Sequence, residues 1–174
     1  EENDAIEISL SDKPVIKIDG AENITIQEFT AKCCKSHGIT VKGNNCLIKG
    51  CTVMNVAEYG ITVSGYGNTV DGCEVTRTGK GGISVVGGDR ETLTPGNNLV
   101  INNYIHHFSE VYQTYQPGVG IEGVGNRCSH NEICFTPHTA ILYGGNDIVI
   151  EYNNIHDVVI TTTLNKETNY IFNI

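Results

Sequence analysis

Four titratable side chains in the last third of this 174-residue chain have the types and spacing for proton transfer: Glu122, His138, Asp147 and Asp157. A carboxylate can serve as general acid or base. Glu122 paired with Asp147 or Asp157 would supply the two carboxyls that glycoside hydrolysis requires. His138, after Pro137, could shuttle a proton or bond a sugar hydroxyl. Around them, Lys80 and Arg90 offer cations, and Tyr112 and Tyr115 offer rings on which a sugar can stack. A lyase would use a basic residue and neutralise a uronate, and Lys80, Arg77, Arg90 and Arg127 are the available basic groups. Plain structural roles compete throughout. An outward Glu is solvated, His138 can cap a turn, and Asp147 after Gly144-Gly145-Asn146 suits a turn on its own account. No Cys/His quartet has zinc spacing and no tight acidic cluster announces Ca²⁺, so no metal or cofactor is expected, with Ca²⁺ left open.

These residues need a scaffold, and a repeat provides it. Segments of the form apolar-x-x-(Asn/Cys)-x-apolar begin at Ile26, Ile48, Val70, Val100, Cys128 and Ile150, separated by 22, 22, 30, 28 and 22 residues. A fixed period with two enlarged members is the mark of a solenoid. A second strand recurs beside the first: Gly38-Ile39-Thr40-Val41, Gly60-Ile61-Thr62-Val63 and Gly82-Ile83-Ser84-Val85, continued by Gly120-Ile121-Glu122-Gly123 and Ala140-Ile141-Leu142-Tyr143. Period-two alternation then turns Ile39, Ile61, Ile83, Ile121 and Ile141 inward. Thr40, Thr62, Ser84, Glu122 and Leu142 face outward, with Ser36, Glu58, Lys80, Gly118 and His138 just ahead of them.

The expected fold is therefore all-β: a single parallel β-helix of about six coils of ~22 residues and three strands each. Residues 1–22 read as an entering strand or partial coil, 23–160 as coils and 161–174 as an irregular end. Thr161-Thr162-Thr163 and Tyr170–Ile174 could form a cap strand, and the lack of an amphipathic cap there suggests a truncated parent. The column Phe29, Cys51, Cys73, Asn103, Asn131, Asn153 falls at a tight turn, where Asn tolerates left-handed dihedrals and its amide can pair with copies above and below. Asn68, Asn98 and Asn126 form another such column. The seven cysteines read as small buried fillers with free thiols.

The enlarged coils carry insertions over 87–96 and 107–117, which flank the first-strand face around Glu122. Such insertions in solenoids often build the binding face. Composition excludes more than it names. A net charge of -9 argues against a nucleic-acid or anionic-membrane partner. No apolar run approaches the ~18 residues of a membrane span.

The stretches Asn102–His106, Gly120–Gly123, Pro137–Ile141 and Gly145–Asp157 resemble the right-handed parallel β-helix repeat proteins, pectate-lyase-like in architecture. More narrowly they are similar to bacterial β-helix glycoside hydrolases acting on plant and pectic glycans. The resemblance implies a polysaccharide lying along the first-strand face of a secreted or cell-surface bacterial protein. It also implies further coils with acidic residues beyond His156-Asp157, where this chain instead runs into Thr161-Thr162-Thr163. The expectation is a glycoside hydrolase-like domain or an inactive fragment of one. The alternatives are a polysaccharide lyase, or a non-catalytic spacer or adhesion module; the latter would self-associate through exposed coil ends, whereas the enzyme is expected to be a monomer. An ice-binding array is disfavoured because the outward column breaks at Glu122 and Leu142.

Overall fold

A computed structural model describes residues 6–159. The expected cap segments within 161–174 lie outside the described residues. β-branched residues at alternate positions make short strands, and glycine, asparagine or another left-handed residue ends each one. The chain thus winds through three parallel sheets. The first sheet contains β1 (Ile16–Glu22), β4 (Ile39–Asn44), β7 (Ile61–Ser64), β10 (Ile83–Asp89), β14 (Val119–Val124) and β17 (Ile141–Asn146). The second contains β2 (Thr25–Gln27), β5 (Leu47–Lys49), β8 (Thr69–Asp71), β12 (Leu99–Ile101), β15 (Arg127–Ser129) and β18 (Val149–Glu151). The third contains β3 (Thr30–Cys34), β6 (Thr52–Val56), β9 (Glu74–Thr78), β13 (Tyr104–His106), β16 (Glu132–Thr136) and β19 (Asn154–Val158). A short strand, β11 (Thr94–Pro95), folds back antiparallel on β10 and forms the first insertion. Six coils of three strands result. Among the described residues, no helix is long and apolar enough to cross a membrane.

Left-handed residues turn the corners. Asn23, Asn45, Gly67, Asn97, Gly125 and Asp147 stack after the first sheet, and Glu28, Gly50, Gly72, Asn102, His130 and Tyr152 after the second. Near the end of the third, Cys33, Asn55, Arg77, His107, Phe135 and Asp157 do the same. The asparagines of the turn column are a correction to the expectation: the left-handed residue is the one before each of them. Asn103, Asn131 and Asn153 are there for their amides. The backbone N–H and Nδ2 of Asn103 both donate to Asn131 Oδ1, at 3.0 and 2.9 Å, and Asn131 repeats the pattern on Asn153. Asn68, Asn98 and Asn126 build a second ladder of the same kind.

Inside, columns of like residues fill the prism, for example Ala31, Val53, Val75, Ile105 and Ile133, each fully buried. All seven cysteines are free, and six of them are buried. The thiols of Cys51 and Cys73 donate to the carbonyls of Ile26 and Ile48 in the coil below, each at 3.7 Å, so neither points at the other for bonding. Burial pushes the Cys73 and Cys128 thiols up to about 12. They are inert fillers at neutral pH.

The register of the fifth coil differs from the expected one. Val119, not Ile121, pairs with Ile83, so Ile121 lies over Val85 and Glu122 over Val86. The outward column of Thr40, Thr62 and Ser84 therefore continues through Gly120 to Leu142. Glu122 belongs to the next outward column, with Lys42, Ser64, Val86 and Gly144. Gln116 rather than Gly118 therefore precedes the strand beside Lys80 and His138. A glycine ladder, taken with Asn126 in the amide ladder three residues on, holds this frame. Gly43, Gly65, Gly87, Gly123 and Gly145 stack where each coil's backbone touches the next, and a Cβ on Gly123 would lie 1.9 Å from the Gly87 carbonyl oxygen. Only the observed register puts Gly123 in that column.

Candidate functional site

The outward face of the first sheet forms a floor of small side chains, Thr40, Thr62, Ser84 and Gly120, with a wall at each end of the strands. The Thr62 hydroxyl donates to that of Thr40 at 3.0 Å. One wall is the β10–β11 hairpin, whose Arg90 Nε reaches Asn146 Oδ1 at 3.4 Å, two coils on. The other is the insertion after β13. Phe108 anchors it in the core, and the buried Ser109 closes its neck by donating its hydroxyl to the Gln116 carbonyl at 2.8 Å. The amides of Val111 and Tyr112 both donate to the carbonyl of Gly79, which brings the Tyr112 ring over Lys80, 5.0 Å from Nζ to centroid. Tyr115 lies against His138 of the following coil with ring centroids 5.1 Å apart. This one loop thus joins Lys80, Tyr112, Tyr115 and His138 along an edge of the floor.

Two residues that sequence reasoning passed over belong to the same edge. The Tyr59 ring lies across Gly81, where a Cβ would sit 2.3 Å from Tyr59 Cε1. The Tyr59 backbone N–H donates to His37 Nδ1 at 3.2 Å, and the two rings are 6.4 Å apart. With Nδ1 accepting, the neutral imidazole carries its proton on Nε2. Burial holds His37 below the ordinary histidine range, with Lys80 adding to the effect and Glu58 opposing it. Burial raises Tyr59 above 10; Lys80 opposes, and the carboxylates of Glu122 and Glu58 reinforce. Tyr59 therefore remains a protonated phenol at neutral pH and feels Glu122 through space. Glu58 is held by Lys80 at 2.5 Å. Glu122 is exposed and, among the described residues, its carboxylate makes no ion pair or side-chain hydrogen bond.

The remaining candidates separate. Asp147 is an exposed corner residue with φ of 53°, in the left-handed column of Asn45 and Asn97. Turn geometry accounts for it. Asp157 stands in the third-sheet bulge, where His156 Nδ1 contacts its Oδ2 at 2.9 Å, so it is on a different sheet from Glu122 and cannot share its face. The expected pairing of Asp157 with Glu122 is corrected accordingly.

The right-handed β-helix region model matches residues 4–103 and again 37–173. The chain belongs to the right-handed β-helix family. Among solved structures, this β-helix is similar to the A-module of the Azotobacter vinelandii mannuronan C-5 epimerase AlgE4, at 15% identity and a TM-score of 0.63. The match covers 88% of this chain and 50% of that one, so the β-helix described here spans about half the length of its structural relative. No curated protein matches it. At this identity the likeness is one of fold.

Proposed function

We propose that this β-helix is a polysaccharide-modifying domain that binds its polymer across the coils of the first sheet, between the two insertion walls. The reaction that best suits the site is proton transfer at a sugar carbon beside a carboxylate, as in epimerisation or β-elimination, rather than glycoside hydrolysis. The carrying observation is the set of groups around Tyr59: Glu122, a carboxylate with no ion pair among the described residues, and one protonated phenol, with Lys80 at hand. Hydrolysis asks for two working carboxyls. The second carboxylate here, Glu58, is already neutralised by Lys80. A base and an acid of different kinds suit removal of a proton and its return or loss elsewhere.

In this reading Glu122 takes the proton and Tyr59 supplies one, to the carbon in an epimerase or to the departing oxygen in a lyase. Lys80 has three donors and commits one to Glu58, leaving others for a uronate carboxylate. His37 offers Nε2–H to the same group or to a hydroxyl. Tyr112 and Tyr115 line the edge as sugar platforms, and Lys42, Arg90 and His138 add polar contacts along the polymer's path. The structural relative is a mannuronan epimerase, which is in keeping with uronate chemistry. A secreted or cell-surface location is proposed on the same ground.

The test is incubation in deuterium oxide with polymannuronate, polygalacturonate and a neutral glucan. NMR, absorbance of the unsaturated uronate and a reducing-end assay follow the products. The expected result is deuterium at uronate C5, or a new double bond, lost in Glu122→Gln and reduced ~10²–10⁴-fold in Tyr59→Phe. New reducing ends without double bond or deuterium would establish a hydrolase instead. Binding without any product would make the domain a non-catalytic module.

A further inference from the structure

On a different face of the solenoid, the outward side of the third sheet carries a second group of reactive side chains that the reading above leaves unused. Glu132 and Cys134 are two apart on β16 and therefore point to the same side, and Cys134 pairs in register with His156 on β19. Glu132 is exposed, Cys134 buried and His156 half-buried. One donor atom from each, a carboxylate oxygen, Sγ and an imidazole nitrogen, lies within 4.8 Å of the other two. His156 Nε2 and Glu132 Oε1 are already 3.2 Å apart. That is close to the ~3.3 Å edge of a tetrahedron built on metal–nitrogen and metal–oxygen bonds of ~2.0 Å.

A second, independent contact points the same way. His156 Nδ1 lies 2.9 Å from Asp157 Oδ2. A carboxylate that receives Nδ1–H leaves the Nε2 lone pair facing Glu132 and Cys134, as the outer carboxylate does behind metal-bound histidines. In a neutral His156 the Nε2 and Oε1 atoms would otherwise be two acceptors facing one another. We propose that Glu132, Cys134 and His156 form a site for a divalent transition metal, with Zn²⁺ the fitting occupant, and that Asp157 positions its histidine. One nitrogen, one sulfur and one oxygen donor suit Zn²⁺ rather than Ca²⁺ or Mg²⁺, which take oxygen ligands. Binding exchanges the Cys134 thiol proton for a metal–sulfur bond and releases that proton to solvent. The three ligands tie coil five to coil six and leave a fourth position for water or another ligand.

The coil below supplies the control. His106 contacts Glu74 at 3.2 Å in the same diagonal manner, and it stacks on Tyr104 with centroids 4.1 Å apart. The outward residue of its column in that coil's lower neighbour is Thr76, not cysteine. A His–Glu contact that merely stitches coils would treat the two places alike. A metal site requires the thiol.

The experiment uses the whole chain, reduced and stripped with chelator, titrated with Co²⁺ in the near-ultraviolet and with Zn²⁺ by calorimetry. One equivalent is expected, with a thiolate-to-cobalt band, and added Zn²⁺ should raise Tm. Cys134→Ser should abolish the band and the Tm rise. Glu132→Gln, at an exposed position, should weaken binding at least tenfold. Asp157→Asn, which keeps a residue at ease with the left-handed backbone, should weaken it ~10–100-fold. Cys33→Ser and His106→Gln should leave it unchanged. Circular dichroism confirms that each variant is folded. Absence of a band in the parent chain overturns the proposal, as does binding that survives Cys134→Ser or is lost in Cys33→Ser. None of these outcomes bears on Tyr59 or Glu122, so this site and the first-sheet reading fail or stand separately.

Discussion

Replacing Asn98 by alanine tests whether the amide ladders hold the coils together. Asn98 Oδ1 accepts from both the backbone N–H and Nδ2 of Asn68, at 2.9 and 3.0 Å. Its own Nδ2 donates to the Gly65 carbonyl and to Asn126 Oδ1, both at 2.9 Å. The alanine variant leaves the buried Asn68 N–H with no acceptor, which costs ~1–3 kcal/mol. Asn68 Nδ2 keeps the Gly43 carbonyl, and Asn126 Oδ1 keeps the Asn98 backbone N–H, so those two lose one bond each rather than all. At ~1 kcal/mol for each of the three other neutral bonds lost, that to the Gly65 carbonyl included, the sum is about 4–6 kcal/mol, a large share of the stability of an ordinary domain. Urea denaturation followed by far-ultraviolet circular dichroism measures it, with the exposed Thr92→Ala as reference. Solenoid coils couple to their neighbours, so tyrosine fluorescence must give the same midpoint before a single free energy is drawn. Asn98→Asp separates the two halves of the role. It keeps an acceptor for Asn68 but turns an acceptor toward Gly65 and Asn126, so it should restore the Asn68 bonds and still lose those that Asn98 donates. A loss below ~1 kcal/mol for Asn98→Ala would refute the reasoning, because an orphaned buried N–H costs at least that.

Gly123→Ala should destabilise by on the order of 3 kcal/mol or more, since its φ is 109° and its new methyl meets the Gly87 carbonyl. Gly72→Ala, with φ of 62° and nothing within 4 Å of the added Cβ, should lose only ~1–2 kcal/mol in the same urea melts. For activity, burial lowers His37 and raises Tyr59, so His37 stays neutral down past 6.5 and Tyr59 stays protonated up past 10. kcat/KM against pH should therefore show no alkaline fall until above 10; a fall centred near 8 would remove Tyr59 from the role of proton donor.

Much of the architecture was legible in the sequence because a solenoid writes each structural need as a column. The period of 22 gave three strands per coil, both asparagine ladders and both insertions. The fifth coil lies two residues from its expected register because Gly118-Val119-Gly120-Ile121 contains two Gly-apolar pairs. The deciding signal was present but lay beyond the strand. Gly43, Gly65, Gly123 and Gly145 each stand three residues before the corner column of Cys46, Asn68, Asn126 and Ile148. Counting back from Asn126 places Glu122 over Val86 rather than Ser84. His37 and Tyr59 were missed for a different reason. They sit in the connection just ahead of the strand, where alternation makes no prediction, and only the loop's path over Gly79 and Gly81 gathers them. Glu132-x-Cys134 and His156 were missed because metal spacing was sought along the chain. In a solenoid, residues one period apart are neighbours, and 134 to 156 is one period.

The same logic says where function can reside in such a fold. Positions in one column share a backbone conformation, a register and nearly identical neighbours, so the fold asks the same thing of each. The inward and corner columns comply with valine, isoleucine, asparagine and glycine. A position that breaks its column without a packing reason is free to answer to something else. Glu122 does so among Lys42, Ser64, Val86 and Gly144, on the floor between the two insertions. Tyr59 does so with its ring across Gly81, and that glycine is small because the ring occupies the space a Cβ would need. Cys134 is a buried thiol in an outward column of Lys32, Met54, Thr76, His106 and His156. Leu142 also breaks its column, yet nothing reactive accompanies it. Departure from the column alone is therefore insufficient. The three positions that matter are those where the departing residue meets a second titratable group, and these meetings occur on two different sheets. A solenoid can keep two such chemistries apart because the core columns between its faces need not change to accommodate either one.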